Sequence, residues 1–188
     1  MNSHTTVEAD PRGAVSFLRA LKQQAEVHPE YHPDQYESDW FTRGTEEVQE
    51  RLGRPSLWSN LSPVGRGLDY EHLIGVNIGG THPVIDDVHV SEKIVTSVKS
   101  MDTHDISYQN PDGILKKGKD YVDAFASDKF KKGVETKEGY KLPLDQIQGF
   151  HLEIAVRDNL LPIQKKALEE LQKYGEKQGV RVIIVEVT

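Results

Sequence analysis

Pro83-Val-Ile-Asp-Asp-Val-His-Val-Ser-Glu-Lys-Ile-Val-Thr-Ser-Val-Lys-Ser-Met101 holds two β-branched runs separated by a polar interval. Pro83 to Val90 predicts one strand and Ile94 to Met101 a second, with Glu92-Lys93 forming the turn. Side chains alternate along a strand, so Val95, Ser97, Lys99 and Met101 share one face. A lysine flanked by apolar neighbours on a central strand is unusual, because an unpaired buried ammonium is costly. Two facing carboxylates would offset that cost. Asp86 in the first strand offers one. Glu71, near the end of the helix before it, offers the other.

The elements on either side predict the rest of the architecture. Ser62-Pro63 reads as an N-cap followed by proline at the first helical position, opening a helix that runs to about Ile74 and stops at Gly75. Asn110-Pro111 opens another helix, with Ile114, Tyr121, Val122 and Phe125 on a buried face. From Gly149 to Arg157 the alternation is clean: Phe150, Leu152, Ile154 and Val156 on one side, His151, Glu153, Ala155 and Arg157 on the other. Pro162 begins a helix with Ala167, Leu171 and Tyr174 on one face, ending at Gly179. Val180 to Val187 is nearly all β-branched and predicts a buried strand. From residue 62 the order is helix, strand, strand, helix, strand, helix, strand, which is an α/β domain with a mixed sheet.

The first 60 residues have a different character and predict an N-terminal helical extension (1–60) ahead of the main domain (61–188). Asp10-Pro11 marks a helix start, with Val15, Leu18, Leu21 and Ala25 on one face. Residues 28 to 43 lack periodicity and read as irregular. Thr45 to Leu52 predicts a short helix ending at Gly53. This extension is expected either to serve delivery or partner contact or to brace the core.

The chain has 188 residues, a formal net charge of -7 and no cysteine. The missing cysteines exclude disulfides and thiolate metal sites. No apolar run is long enough to cross a bilayer, and the opening MNSHTTVEAD shows no Sec signal peptide. The acidic balance argues mildly against nonspecific nucleic-acid binding, but charge is uneven. From Lys93 to Lys141 there are 10 Lys against 8 Asp and Glu, a local balance of +2.

Phosphodiester cleavage asks for a metal that polarises the phosphate and generates hydroxide, for carboxylate oxygens to hold it, and for a lysine to stabilise developing charge. Glu71, Asp86, Ser97 and Lys99 offer such a set on helix, strand and strand. Singly, each has an ordinary reading: a surface glutamate, a turn aspartate, an exposed strand face. Their order points to the nuclease chemistry. His82, His89, His104 and His151 include no pair with helical zinc spacing, and His89 is on the opposite strand face from Asp86. Lys116, Lys117, Lys119, Lys129, Lys131 and Lys132 suit either a phosphate backbone or plain solvation. Gly79-Gly80 lacks a dinucleotide fingerprint and reads as a flexible turn.

Leu61-Ser-Pro-Val-Gly-Arg-Gly67, Tyr70-Glu-His-Leu-Ile-Gly75, Pro83-Val-Ile-Asp86, Val95-Thr-Ser-Val-Lys-Ser-Met-Asp102 and Ser107-Tyr-Gln-Asn110 together resemble a known family. So do Leu152-Glu-Ile-Ala155 and Gly179-Val-Arg-Val-Ile-Ile-Val-Glu-Val187. These segments look like the PD-(D/E)XK endonuclease domains at the C-termini of contact-dependent growth inhibition toxins and related bacterial polymorphic toxins. The resemblance spans about residues 60 to 188. It implies a PD-(D/E)XK-like mixed sheet flanked by helices, with Glu71 and Asp86 as metal ligands, Ser97 in place of the second acid, and Lys99 as the motif lysine. Spacing alone leaves Asp86 and Asp87 both open; the family's Pro-x-x-acid pattern favours Asp86. Asp102, Tyr108 and Gln109 match the family pattern and are candidates for substrate contact or for supporting bonds behind the site.

The resemblance further implies a divalent metal ion (Zn or Mg, possibly Mn), a nucleic-acid substrate with DNA preferred over tRNA, and a cognate immunity protein. It also implies manufacture in the bacterial cytoplasm and delivery to the cytoplasm of a target cell. Two alternatives stand beside the DNase toxin reading: a tRNA-cleaving toxin nuclease, and a catalytically inactive protein-binding module of the same fold.

Overall fold

Strands at the end of the chain and in its middle pair in parallel to form the centre of the sheet. In the computed structural model, which describes residues 39–78, 82–127 and 133–188, β3 (Ile94–Met101), β6 (Gly149–Arg157) and β7 (Arg181–Val187) lie side by side. With β1 (Trp40–Arg43) and β2 (Asp87–His89) at its edges, the sheet has five strands in the order β1-β7-β6-β3-β2. The β1–β7, β7–β6 and β6–β3 pairs are parallel, and β2 (Asp87–His89) runs antiparallel to β3. Parallel strands need covered crossovers. The helices α1 (Thr45–Leu52), α2 (Pro63–Ile74), α3 (Ile106–Gln109), α4 (Pro111–Ala124) and α5 (Pro162–Gln178) supply the cover.

Two apolar layers follow from the strand alternation. On one face Phe150, Leu152, Ile154 and Val156 of β6 pack with Ile114, Val122 and Phe125 from the α4 region and Ala167, Leu168 and Leu171 of α5. On the other, Val98, Ala155, Ile183, Val185 and Val187 pack with Tyr70 and Leu73 of α2 and with Val48, Leu57 and Trp58. β7 is thus apolar on both sides, as its β-branched run predicts.

The punctuation signals hold. Ser62 Oγ accepts the Gly65 N–H at 3.3 Å, with Pro63 opening α2. Gly53, Gly75 and Gly179 end α1, α2 and α5 in the left-handed conformation. Asn110 Oδ1 accepts the Asp112 N–H at 3.0 Å to open α4.

Some expectations need correction. Trp40 to Arg43, read as irregular, forms β1 against β7, with Trp40 opposite Ile184. A short segment without period becomes a strand because a buried partner offers its edge; here tertiary pairing outweighs local pattern. Residues 40–58 therefore add an edge strand and core side chains to the sheet and core of the main domain. The strand expected over Pro83 to Val90 is reduced to Asp87–His89, and Pro83 to Asp86 form its approach. The helical turn α3 and the hairpin of β4 (Val134–Glu135) and β5 (Lys141–Leu142) are further elements that periodicity did not reveal. The helix at residues 10–25, the Gly79-Gly80 turn, and Lys129, Lys131 and Lys132 lie outside the described residues.

Candidate active site

The site forms where β2 parts from β3. The ladder pairs Asp87 with Thr96, Val88 with Val95 and His89 with Ile94. One residue beyond, the Asp86 N–H still reaches the Thr96 carbonyl at 2.9 Å, while the Asp86 carbonyl accepts the Ile78 N–H at 3.1 Å. Past Thr96, β2 no longer covers that edge of β3. Side chains take over the edge of Val98. Its N–H donates to Asp86 Oδ2 at 2.6 Å and its carbonyl accepts Lys99 Nζ at 2.8 Å.

Asp86 Oδ2 also accepts Lys99 Nζ at 3.0 Å and Ser97 Oγ at 3.5 Å. The face expected from the alternation of β3 is present: Ser97 is 2% exposed, and Val95 and Met101 flank the pair in the core. The Asp86 and Lys99 side chains remain 16% and 29% exposed, so the pair is reachable from solvent rather than sealed in the interior. Asp86 Oδ1 accepts no hydrogen bond among the described residues.

Glu71 comes from the last turn of α2, half-buried. Burial raises its pKa, repulsion from Asp86 adds to this, and Lys99 and Lys137 oppose it. The two acids and the lysine expected to converge are therefore electrostatic neighbours. Lys137, which sequence reasoning passed over, is the fourth member. Its Nζ bonds the Val76 carbonyl at 2.9 Å just beyond α2.

The neighbouring acid has a different task. Asp87 Oδ1 accepts the Asn77 N–H at 3.0 Å, and its other oxygen lies 3.6 Å from His89 Nε2. Adjacent residues of an extended chain point to opposite faces, so Asp86 alone meets Lys99.

Asp102, Tyr108 and Gln109 fall in the segment after β3. Asp102 Oδ1 accepts the His104 N–H at 3.2 Å and lies 3.6 Å from Arg157 Nη1. The Tyr108 carbonyl accepts Gln164 Nε2 at 3.0 Å, and Gln109 Nε2 reaches the His104 carbonyl at 3.3 Å. Among the described residues, none of the three bonds to Glu71, Asp86 or Lys99. Lys117 and Lys119 lay their ammonium groups over the rings of Tyr121 and Tyr174, at 5.0 and 5.1 Å.

The oxygens of Glu71 and Asp86 suit a hard divalent cation, and a cation between them would relieve their mutual repulsion. Among the described residues no group of three His, Cys, Asp or Glu could hold a metal ion. A cation here would thus draw its remaining ligands from water, backbone or substrate. Such an incomplete protein shell is what Mg²⁺ tolerates and what leaves positions open for a phosphate.

The mixed sheet and its flanking helices define a restriction endonuclease-like domain. A family model described as the CDI toxin restriction endonuclease-like domain matches residues 66–185, and the chain belongs to that family. A solved structure, the CdiA-CT/CdiI toxin and immunity complex from Yersinia pseudotuberculosis, is similar at 22% identity and a TM-score of 0.47, covering 61% of this chain and 90% of that one. Comparison with curated proteins gave no match.

Proposed function

We propose that this chain is a metal-dependent endonuclease, a DNase acting as an antibacterial toxin, with Glu71, Asp86, Ser97 and Lys99 as its catalytic set. The observation that carries the reading is the meeting of Asp86, Ser97 and Lys99 at the open edge of Val98, with Glu71 beside them. Membership of a restriction endonuclease-like toxin family supports the nuclease reading, and DNA is taken as the substrate over tRNA.

A bound Mg²⁺, Mn²⁺ or Zn²⁺ supplies Lewis-acid polarisation of the phosphate and a water of lowered pKa. Glu71 and Asp86 would hold it through carboxylate oxygens. Lys99, fixed by Asp86 and by the Val98 carbonyl, aims positive charge at the developing phosphorane oxygens. Ser97 stands where the wider motif has a second acid. It contributes a hydroxyl without charge, so the protein would neutralise less of a bound cation and leave more of its field for the substrate. Asp102, Tyr108 and Gln109 are kept as candidates for substrate contact or for supporting bonds behind the site. Residues 61–188 are taken as the nuclease domain and the segment before them as its extension and brace.

The partner expected besides nucleic acid is a cognate immunity protein, as in the toxin and immunity complex named above. Among the described residues no helix is long and apolar enough to cross a membrane. Synthesis in the bacterial cytoplasm and delivery into the cytoplasm of a target cell complete the reading.

The test is incubation of purified protein with supercoiled plasmid and, in parallel, total tRNA, adding Mg²⁺, Mn²⁺ or Zn²⁺, with EDTA and Lys99→Ala controls. Metal-dependent plasmid nicking that both controls abolish is the expected result. Cleavage of tRNA alone would overturn the DNase assignment. Cleavage of neither would overturn the enzymatic one.

A further inference from the structure

The turn that delivers Asp86 is gathered around one imidazole. His82 Nδ1 accepts the Ile85 N–H at 2.8 Å and the Val84 N–H at 3.2 Å. The ring also donates to the Gly133 backbone. A neutral imidazole has one acceptor and one donor nitrogen. With Nδ1 accepting, Nε2–H is the donor to Gly133. Burial lowers the pKa of His82, the Gly133 bond and Asp86 opposing, which favours the neutral ring that this bonding requires.

These bonds hold the two residues that lead into Asp86. Val84 and Ile85 are buried in the core and leave little room for the turn to shift as a body. The freedom left is in the path of the backbone between Pro83 and Asp86, and that is what the Nδ1 acceptor restrains. Beyond it, Asp86 is gripped by Thr96 and Ile78 through its backbone and by Val98 through Oδ2.

We propose that His82 is a positioning residue for the site: its Nδ1, by gathering the Val84 and Ile85 amides, sets the angle at which the chain enters Asp86 and so seats the Asp86 carboxylate on Val98. The inference deepens the nuclease reading and rests on it for the consequence in metal binding. The seating itself does not depend on that reading. A supporting group behind a metal ligand typically affects metal affinity by about 10- to 100-fold.

Two substitutions separate the nitrogens of the ring. His82→Asn places Oδ1 on the same Cγ that carries Nδ1, keeping the acceptor and losing the reach to Gly133. His82→Gln extends an amide toward the Nε2 position and has no acceptor at Cγ. The experiment uses the full chain with His82→Ala, His82→Asn and His82→Gln. Two readouts are taken: the Val98 amide proton by NMR without metal (chemical shift and exchange rate), and the affinity for Mn²⁺ by calorimetry. Wild type and His82→Asn are expected to show a downfield, slowly exchanging Val98 amide. His82→Ala and His82→Gln are expected to lose it and to bind Mn²⁺ about tenfold more weakly. If His82→Ala does not fold, the contrast between Asn and Gln decides. A wild-type Val98 amide in His82→Ala, or in His82→Gln when Ala is unfolded, overturns the proposal. If wild type binds no Mn²⁺ and cuts nothing while the Val98 amide still follows His82, the nuclease reading falls and the positioning role stands.

Discussion

Val98 donates its backbone N–H to Asp86 Oδ2 at 2.6 Å, closing the strand edge from which β2 has turned away. The same carboxylate is thus a structural cap and the proposed metal ligand, and substitution can part the two roles. Asp86→Asn keeps an oxygen for Val98 and removes the charge. Asp86→Ala leaves the Val98 amide and the Lys99 ammonium without that acceptor. Both variants are expected to lose cleavage by about 100-fold or more. Only Asp86→Ala is expected to lose about 1–3 kcal/mol of stability as well. Urea titration beside a plasmid assay checks the pair; equal stability losses would refute the capping role.

Lys99 competes with a cation for Asp86, since its Nζ lies 3.0 Å from Oδ2. Lys99→Ala is therefore expected to cut less DNA by about 100- to 1000-fold while binding Mn²⁺ as tightly as wild type or more tightly. Calorimetry decides: weaker Mn²⁺ binding would mean that the lysine organises the metal ligands instead of opposing the ion.

Acid should weaken the fold through His151. It is 3% exposed, and burial, with Arg181 and His89 adding, lowers its pKa from 6.5 to about 3. Between those values the unfolded chain binds a proton that the native state refuses. Stability is complete above the unfolded pKa of about 6.5 and is lost as pH falls toward the folded value, by up to ~1.4 kcal/mol per pH unit. Glu153 acts in the opposite sense. Its pKa is raised by burial, so its contribution declines as pH rises through its own window above 4.5. Urea midpoints measured between pH about 7 and about 5 should fall. His151→Gln should flatten that slope, and an unchanged slope would exclude His151 as its cause.

Tyr70 and Glu153 join α2 to the centre of the sheet. Both are buried, and the Tyr70 hydroxyl donates to Glu153 Oε1. Tyr70→Phe keeps the ring and strands a buried carboxyl that loses this donor. It is expected to cost about 1–3 kcal/mol. Glu153→Gln, which retains an oxygen for the hydroxyl, should cost less. Chemical denaturation of the two variants tests the order.

Gly118 is where α4 meets α5. A Cβ there would stand 2.2 Å from Leu171 Cδ2. Alanine would gain about 1 kcal/mol of helix propensity and lose about 1–3 kcal/mol to overpacking. A lower thermal midpoint for Gly118→Ala is expected; a raised one would show that Leu171 yields freely.

Much of this was legible because it is local. Ser62-Pro63 and Gly75 bound α2, and the alternation from Phe150 to Val156 assigns each side chain of β6 to its layer. Ser97 and Lys99 announced themselves as polar groups on an apolar strand. What escaped was decided at a distance. Trp40-Phe-Thr-Arg43 has no strand period of its own and becomes β1 through pairing with Ile184 to Val187. Lys137 acts on Glu71 from a segment far along the chain, held beside the end of α2 by its N–H on the Asn77 carbonyl at 2.8 Å and its Nζ on the Val76 carbonyl. Asp86 and Asp87 are chemically identical neighbours, and only their separate partners, Lys99 and Asn77, tell them apart.

The pairing of β1 with β7 bears on how the toxin can be trimmed. Residues 61–188 retain Glu71, Asp86, Ser97 and Lys99, yet without β1 the strand Arg181–Val187 would show a bare hydrogen-bonding edge. That strand is β-branched and apolar on both faces, the composition that invites self-association when uncovered. A truncation that keeps this edge covered therefore begins upstream of Trp40. A truncation starting inside residues 44–60 would keep the proposed site residues in a fragment inclined to stack into aggregates.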